Sequence, residues 1–558
     1  MHILEHLPFS RLDINFARFL SQRAKNLTTE QQQYVEKIIM RLSYELHQGH
    51  NCLHINTQDI ELLFTAELAD TLLTDTKNHR PLVIEKKRLY LQRYWHYEQC
   101  LANTIIAMLH QDAAPPLTTS IEPLLERYFP NQPESSLIDW QRLAAELAIK
   151  QRFSIITGGP GTGKTTTVVK ILALLQELNL TTPLAIALAA PTGKAALRLQ
   201  QSIGINKIHL PCSEEIKKQI PEAVMTLHRL LGAKQHSSQF FHHADHPLVY
   251  DVVVIDEASM IDLALMSKLV TALKPKTKLI LLGDKDQLAS VEAGAVLANL
   301  TTGLPTYTQE LKTTYRFAGA IKTLADAVNA QQADQAWSVL AQANEHCRLF
   351  TGELITYIAK QHACYLSLIK QNKPFEEVYS AYGQFQVLCA NRNGEHSVAF
   401  INQACEQKLL EQKQIDYAGS WYSGRPIMIM ENHPALGLYN GDIGICMPDY
   451  VEKGRLMVFF SGADGTIKKY LPARMPRVET AFAMTIHKSQ GSEFDEVLIV
   501  LPSTLNPILT KELLYTAITR AKQTVQILAD HAIFSKTVQQ KIERVTGLID
   551  KLQSSRIS

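Results

Sequence analysis

From residue 151 onward the chain alternates short apolar runs, rich in β-branched residues, with longer helical patterns: FSIIT, PLAIALAAP, DVVVIDE and KLILLGD are the runs. Strands buried on both faces read as continuous apolar runs, so this alternation predicts a parallel α/β sheet covered by helices. A second set, FQVLCA, EVLIVLP and VQILAD, predicts a second such sheet. Between its members, residues 421–474 show period-two alternation and the turn pairs Asn440-Gly441 and Asp464-Gly465, which predicts a small all-β insertion. The stretch before residue 131 reads as helical. In TTEQQQYVEKIIMRLSYELHQG, Val35, Ile38, Ile39, Leu42 and Leu46 share one helical face, with Thr28 or Thr29 as N-cap and Gly49 as stop. KKRLYLQRYWHYEQCLANTIIAML reads as a second helix, and Pro115, Pro116 and Pro133 beyond it predict a boundary within residues 112–135.

With 558 residues, 46% of them hydrophobic and 20% charged, the chain can bury several cores and is not a disordered polymer. Its 56 basic and 54 acidic side chains leave a net charge of +2, which exerts no long-range pull on polyanions and neither implies nor excludes nucleic acid. No run approaches the roughly 18–20 apolar residues that a membrane span requires, so no membrane partner is expected. Eight cysteines without a C-x-x-C pair are too dilute for a disulfide framework, which points to a reducing cytoplasm.

The run Gly158-Gly159-Pro160-Gly161-Thr162-Gly163-Lys164-Thr165-Thr166 fits G-x-x-x-x-G-K-T and lies between a predicted strand and a predicted helix. Backbone N–H groups of such a loop wrap phosphates, the Lys164 ammonium suits the β/γ oxygens, and the Thr165 hydroxyl suits Mg²⁺. A ligand-free Gly-rich turn is the plain alternative, and the strand-loop-helix context weighs against it. Asp256 and Glu257 close the run DVVVIDE, at the strand end where α/β sheets bind their ligands. Asp256 suits a hydrated Mg²⁺, and Glu257 suits a base that orients and deprotonates water. A lone acidic strand end often only caps a helix, but with the P-loop upstream the pair points to nucleotide hydrolysis. Gln287, in LLGDKDQL, can sense a γ-phosphate or simply close a turn.

GGPGTGKT, APTGKAA (190–196), TLHRLLG (226–232), IDEASM (255–260), LLGDKDQL, TIHKSQGSEF (485–494) and LLYTAITRAK (513–522) occur in the order of the superfamily 1 helicase motifs. WQRLAAELA ahead of the P-loop, LKTTYRF (311–317), LCANRNGEHSVAFIN (388–402) and WYSGRPIMIMENHPALGLYNGDIGI (421–445) resemble the RecD branch, as do GHNCLHI (49–55) and LYLQRYWHYE (89–98). That branch comprises ATP-dependent 5′-to-3′ DNA helicases, the α subunits of exodeoxyribonuclease V.

The resemblance implies an α/β fold of two RecA-like P-loop domains in tandem, at residues 131–312 and at 313–420 with 475–558. It adds a helical N-terminal docking domain at 1–130, an SH3-like β-barrel insertion at 421–474, and a strand-splitting β-hairpin near 234–250. By the same resemblance Gln141 reads the adenine, Gln287 couples the γ-phosphate to DNA, and Arg316 and Arg520 reach the γ-phosphate from the second domain. Thr192, Thr485, His487, Lys488 and Ser489 then contact single-stranded DNA through phosphates and stacked bases, without reading sequence. Read alone, Thr485 and His487 are also plausible N-cap residues. The implied ligands are ATP and Mg²⁺; the implied partners are RecB-like and RecC-like subunits, with single-stranded DNA and duplex ends as the track.

Other clusters carry less. His236, His242, His243 and His246 lack a cysteine partner for zinc, and His50, Cys52 and His54 supply only three ligands on one strand face. Gly547-Leu-Ile-Asp550 resembles a fragment of a nuclease motif without its downstream metal-binding cluster, so no nuclease site is expected. Two rival readings remain: a free-standing helicase of the same branch, and a nucleotide-gated clamp that binds DNA without unwinding it. Only 157 residues precede the P-loop, too few for the helix-hairpin-helix extension typical of the first rival. Two arginines and a complete hydrolytic set argue against the second.

Overall fold

The computed structural model describes residues 7–24, 27–63, 73–74, 80–110, 121–130, 138–234, 237–290, 292–315, 319–416, 419–462 and 466–554. Arg316, His236, Pro115, Pro116, Pro133 and the turn pair Asp464-Gly465 lie outside them.

The first parallel sheet runs in the order Thr308–Glu310, Phe153–Thr157, Lys278–Gly283, Val252–Ile255, Ile186–Ala190 and Met225–Thr226, and every neighbouring pair is parallel. Its central runs lack polar alternation because both faces are covered. Ile155, Ala187, Val253 and Leu281 pack on one side; Ile156, Leu188, Val254 and Leu282 pack on the other, against Val168 and Leu172 of helix Lys164–Glu177. Strand period two therefore sorts one continuous apolar run into two separate cores. The second sheet, in the order Cys347–Leu349, Ala521–Leu528, Phe494–Val500, Phe385–Cys389 and Ala483–Thr485, is also parallel throughout.

An antiparallel sheet of five strands, Ile467–Tyr470, Arg455–Ser461, Ile443–Asp449, Pro426–Ile429 and Val478–Thr480 in spatial order, interrupts the second unit. Among the described residues its ladder is open rather than a closed barrel. The last strand along the chain, Val478–Thr480, lies beyond the predicted limit of 474 and pairs with Pro426–Ile429, the first along the chain, so the chain re-enters the second parallel unit at once.

The N-terminal region is not purely helical, and the prediction is corrected there. Helices Arg11–Ser21, Thr29–His47 and Gln92–His110 accompany a four-stranded sheet of Leu53–His54, Arg88–Leu91, Leu82–Glu85 and Leu73–Thr74. Lys86 and Lys87 both take positive φ, 48° and 60°, the geometry of a two-residue hairpin turn. Residues 88–91 are consequently a strand, and the helix starts at Gln92. Helix Thr29–His47 does bury Val35, Ile38, Ile39 and Leu42 on the predicted face, and Thr28 caps it in a capping box with Gln31. Leu125, Tyr128 and Phe129 pack into the core of the first parallel unit, beside Val168 and Leu172.

The C-terminal segment leaves the second unit and ties the other two together. Asn51 N–H donates to Val545 O, and Val545 N–H donates to His50 Nδ1, both at 2.9 Å. The buried Glu98 carboxylate accepts from the Thr546 hydroxyl at 2.6 Å, the Asn51 amide at 2.9 Å and the Gly547 N–H at 3.2 Å. Leu548 and Leu552 then enter the first unit's core beside Leu300.

Candidate active site

The P-loop takes its shape from glycine. Gly161 and Gly163 have φ of 78° and 82°, a region that favours residues without a Cβ. A Cβ at Gly158 would meet the Thr162 hydroxyl at 2.8 Å and Leu311 O at 2.9 Å. The turn aims helix Lys164–Glu177 so that its N-terminus opens into a cleft of about 640 Å³ between the two parallel units. Lys164 Nζ donates to Gly158 O at 2.6 Å and Gly159 O at 3.0 Å. Thr165 and Thr166 line the cleft beside it, whereas the Thr162 hydroxyl turns back onto Gly159 O at 2.9 Å. Gln141, on the helix capped by Asp139, lines the same cleft and donates from its amide to Thr162 O at 3.3 Å.

Asp256 and Glu257 enter the cleft from the end of strand Val252–Ile255. Burial first, and the Glu257 charge second, push the Asp256 carboxyl up to about 6 from an ordinary 3.8, while Lys164 and Arg198 pull the other way. Glu257 is held at φ 52°, ψ 40°, and its N–H donates to Asp256 Oδ1 at 2.9 Å. That left-handed conformation costs a non-glycine residue roughly 1–2 kcal/mol, and such strain gathers where a side chain must be aimed. Asp284, at the end of the neighbouring strand, is likewise buried and pushed up to about 6. It accepts from the Gln287 amide at 3.0 Å and from the Tyr515 hydroxyl at 3.1 Å.

Arg520 comes from the second unit. It is 2% exposed, lines the cleft, and is braced by its own helix through Thr516 O at 3.0 Å. The structure thus brings Gln141, Lys164, Thr165, Thr166, Asp256, Glu257, Gln287 and Arg520 to one cleft, with Gly161, Gly163 and Pro160 in its wall. Sequence reading missed Arg198, Tyr315 and Glu493, which line the same cleft. Arg198 had a signal: Ala195, Arg198, Leu199 and Ser202 form an i, i+3, i+4, i+7 stripe on helix Gly193–Ile208.

The residues expected at DNA divide. Thr192 and Thr485 are both N-caps, their hydroxyls accepting from Ala195 N–H at 3.2 Å and Lys488 N–H at 3.4 Å. Ser489 is buried and donates to Ile486 O at 2.7 Å, so it braces its loop from beneath and does not reach the outer face. Burial holds the His487 imidazole below its ordinary value, helped by Arg544 and Lys488. Thr485 and Lys488 line a small recess with Arg392, Met430 and Glu479. The antiparallel sheet reaches across to this face. Lys488 Nζ donates to Asn440 Oδ1 at 2.6 Å, and Tyr439 packs so tightly on Gly193 that a Cβ there would meet its ring at 3.2 Å. At the 234–250 segment, Ala233 just before it bridges Phe240, and His243 bridges His246, while His242 and His246 stack with centroids 5.2 Å apart.

Two parallel α/β units sharing one nucleotide cleft, with the P-loop and acidic strand end on one and a buried arginine on the other, define a P-loop ATPase of the superfamily 1 helicase type. Residues 141–293 match the AAA domain family, residues 480–528 the UvrD-like helicase C-terminal domain, and residues 5–74 the N-terminal domain of RecBCD enzyme subunit RecD. The chain belongs to the RecD family. It is 40% identical over 480 residues to RecBCD enzyme subunit RecD of Mycolicibacterium smegmatis, covering 84% of this chain and 83% of that protein. It is 34% identical to the Haemophilus influenzae RecD subunit, covering 97% of this chain and 93% of that one. Among solved structures it is similar to Bacteroides Pif1 bound to ssDNA, at 19% identity and a TM-score of 0.42, over 76% of this chain and 98% of that one.

Proposed function

We propose that the chain is the ATP-dependent 5′-to-3′ motor subunit of a RecBCD-type helicase–nuclease, unwinding duplex ends at double-strand breaks for recombinational repair. RecB-like and RecC-like subunits are its partners, in the cytoplasm, and they supply the nuclease. The observation that carries this reading is the shared cleft, with Lys164, Asp256 and Glu257 on one unit and Arg520 on the other.

Each residue has a distinct task on ATP. Gln141 hydrogen-bonds the adenine, the loop Gly158–Gly163 and Thr166 hold phosphate oxygens, and Lys164 neutralises the β/γ charge. Glu257 orients the attacking water and takes its proton. Arg520 meets the charge that develops on the transferring phosphoryl group, and only a closed cleft brings it there. Such an arginine is worth about 10³–10⁵ in rate. Arg316 is the second cation of this kind by resemblance. A divalent cation, read as Mg²⁺, shields the β/γ oxygens when bound, and the Thr165 hydroxyl and the Asp256 carboxylate are the groups that hold it. The residues fit such an ion, because the Asp256 carboxyl is buried near neutrality and an adjacent cation removes that penalty.

Thr192, Thr485, His487 and Lys488 follow the DNA strand, and Gln287 links them to the nucleotide. The N-terminal unit, read as residues 1–130, docks the partners; residues 131–312 and 313–420 with 475–558 are the RecA-like motor. The antiparallel sheet, with Ile427, Ile429, Cys446, Val458 and Phe460 at its centre, is read as the SH3-like insertion. Lys164→Gln tests the motor: it should abolish DNA-stimulated ATP hydrolysis while the variant still assembles, and near-normal turnover would sink the assignment.

A further inference from the structure

Arg198 and Glu493 form an ion pair between the two parallel units, in the wall of the nucleotide cleft. Arg198 lies on helix Gly193–Ile208, whose N-cap is Thr192. Glu493 immediately precedes strand Phe494–Val500, four residues after Ser489 in the loop that carries Lys488. None of the hydrolytic roles above uses either side chain.

Asp256 and Glu257 are the carboxylates of this wall with a task in hydrolysis, and Glu493 is a third carboxylate without one. Glu493 is only 14% exposed, and its partner is the one cation that helix Gly193–Ile208 turns into the cleft. Arg198 is 36% exposed, more than its partner. It shares the wall with Asp256, Glu257 and Arg520, at the end of the cleft where phosphate chemistry is read above. A guanidinium fork binds a carboxylate and a phosphate with the same bidentate geometry, so the two anions compete for it directly. Release of Glu493 would be felt in both units, because the next residue's N–H donates to Arg520 O at 3.0 Å and the Gln490 amide donates to Leu288 O of the first unit at 3.0 Å.

We propose that Arg198 is a nucleotide-contacting residue that exchanges partners between the Glu493 carboxylate and the terminal phosphate oxygens of ATP. Glu493 is then a built-in competitor that weakens ATP binding and reports its arrival to the loop bearing Lys488. The proposal rests on reading the cleft as the ATP site. It adds a cation from the first unit to those assigned to the second.

The alternative is a clamp that merely joins the units, and the two differ in sign. The test uses the full chain in its complex, measuring equilibrium binding of ATPγS and of ADP together with steady-state ssDNA-stimulated hydrolysis. Arg198→Ala should weaken ATPγS at least tenfold and ADP much less, Glu493→Gln should tighten ATPγS about threefold or more, and the double variant should behave as Arg198→Ala. Arg198→Lys, which keeps the charge and loses the fork, should restore only part of the affinity. If both single variants weaken ATPγS, or Arg198→Ala weakens ADP equally, the partner exchange is wrong. Should Arg198→Ala not fold, Glu493→Gln decides alone, and unchanged or weakened ATPγS affinity overturns the proposal. A wild-type complex with no ssDNA-stimulated hydrolysis would instead overturn the reading of the cleft on which the proposal stands.

Discussion

The Leu288 backbone N–H donates to the Thr516 hydroxyl at 2.9 Å, joining the loop after strand Lys278–Gly283 to helix Lys511–Ile518 of the second unit. Leu288 O accepts from the Gln490 amide at 3.0 Å, so one residue's backbone is held by the helix that leads to Arg520 and by the loop behind Lys488. Gln287, beside it, faces the cleft. These contacts join the cleft and the loop that carries Lys488 through a single residue.

Thr516→Val keeps the side-chain shape and leaves the Leu288 N–H buried without its partner, a loss of about 1–3 kcal/mol. ATPase assays with and without ssDNA should show stimulation reduced roughly five- to tenfold, with ATP affinity within about twofold of wild type. Unaltered stimulation would mean that the units couple elsewhere.

Asp256→Asn should abolish hydrolysis and at the same time stabilise the protein at neutral pH. The folded carboxyl titrates at about 6 against an ordinary 3.8, so between those values the native state binds more protons and its stability falls as pH rises. The amide removes a penalty present at pH 7 and absent well below pH 4. Thermal unfolding should therefore show a midpoint raised by roughly 2–4 °C at pH 7, with the gain shrinking as the pH is lowered towards 4. A lower midpoint for the variant at pH 7 would show that the ionised carboxylate is a net stabiliser.

Glu98→Ala removes the acceptor shared by Asn51, Thr546 and Gly547. Three donors lose the carboxylate together, and the Asn51 amide keeps only its contact with the Thr546 hydroxyl, which destabilises by about 2–4 kcal/mol. Limited proteolysis should cut the C-terminal segment beyond residue 540 faster than in wild type. Equal cleavage rates would show that Leu548 and Leu552 anchor the segment without the carboxylate.

The parallel sheets were legible because continuous apolar runs admit few other folds, and the P-loop because its spacing, strand and helix coincide. The hairpin at Lys86-Lys87 was invisible: a two-residue turn with positive φ normally announces itself through Gly, Asn or Asp, and two lysines between Glu85 and Arg88 continue a helical pattern instead. Ser489 looked like a DNA ligand because a motif gives the order of residues and not which way each side chain turns. Arg198 and Glu493 lie 295 positions apart, and only the packing of one unit on the other makes them neighbours. Tyr439 on Gly193 is of the same kind.

A motor of defined polarity is read out by the unwinding of tailed duplexes. The complex should carry a nuclease-inactivated partner and a partner motor whose P-loop lysine is replaced, so that this chain's ATPase is the only one running. With ATP and Mg²⁺, it should separate duplexes bearing a 5′ single-stranded tail, leave 3′-tailed ones paired, and lose that activity with Lys164→Gln. Unwinding of 3′-tailed duplexes, or unwinding of 5′-tailed ones that survives Lys164→Gln, would contradict the account.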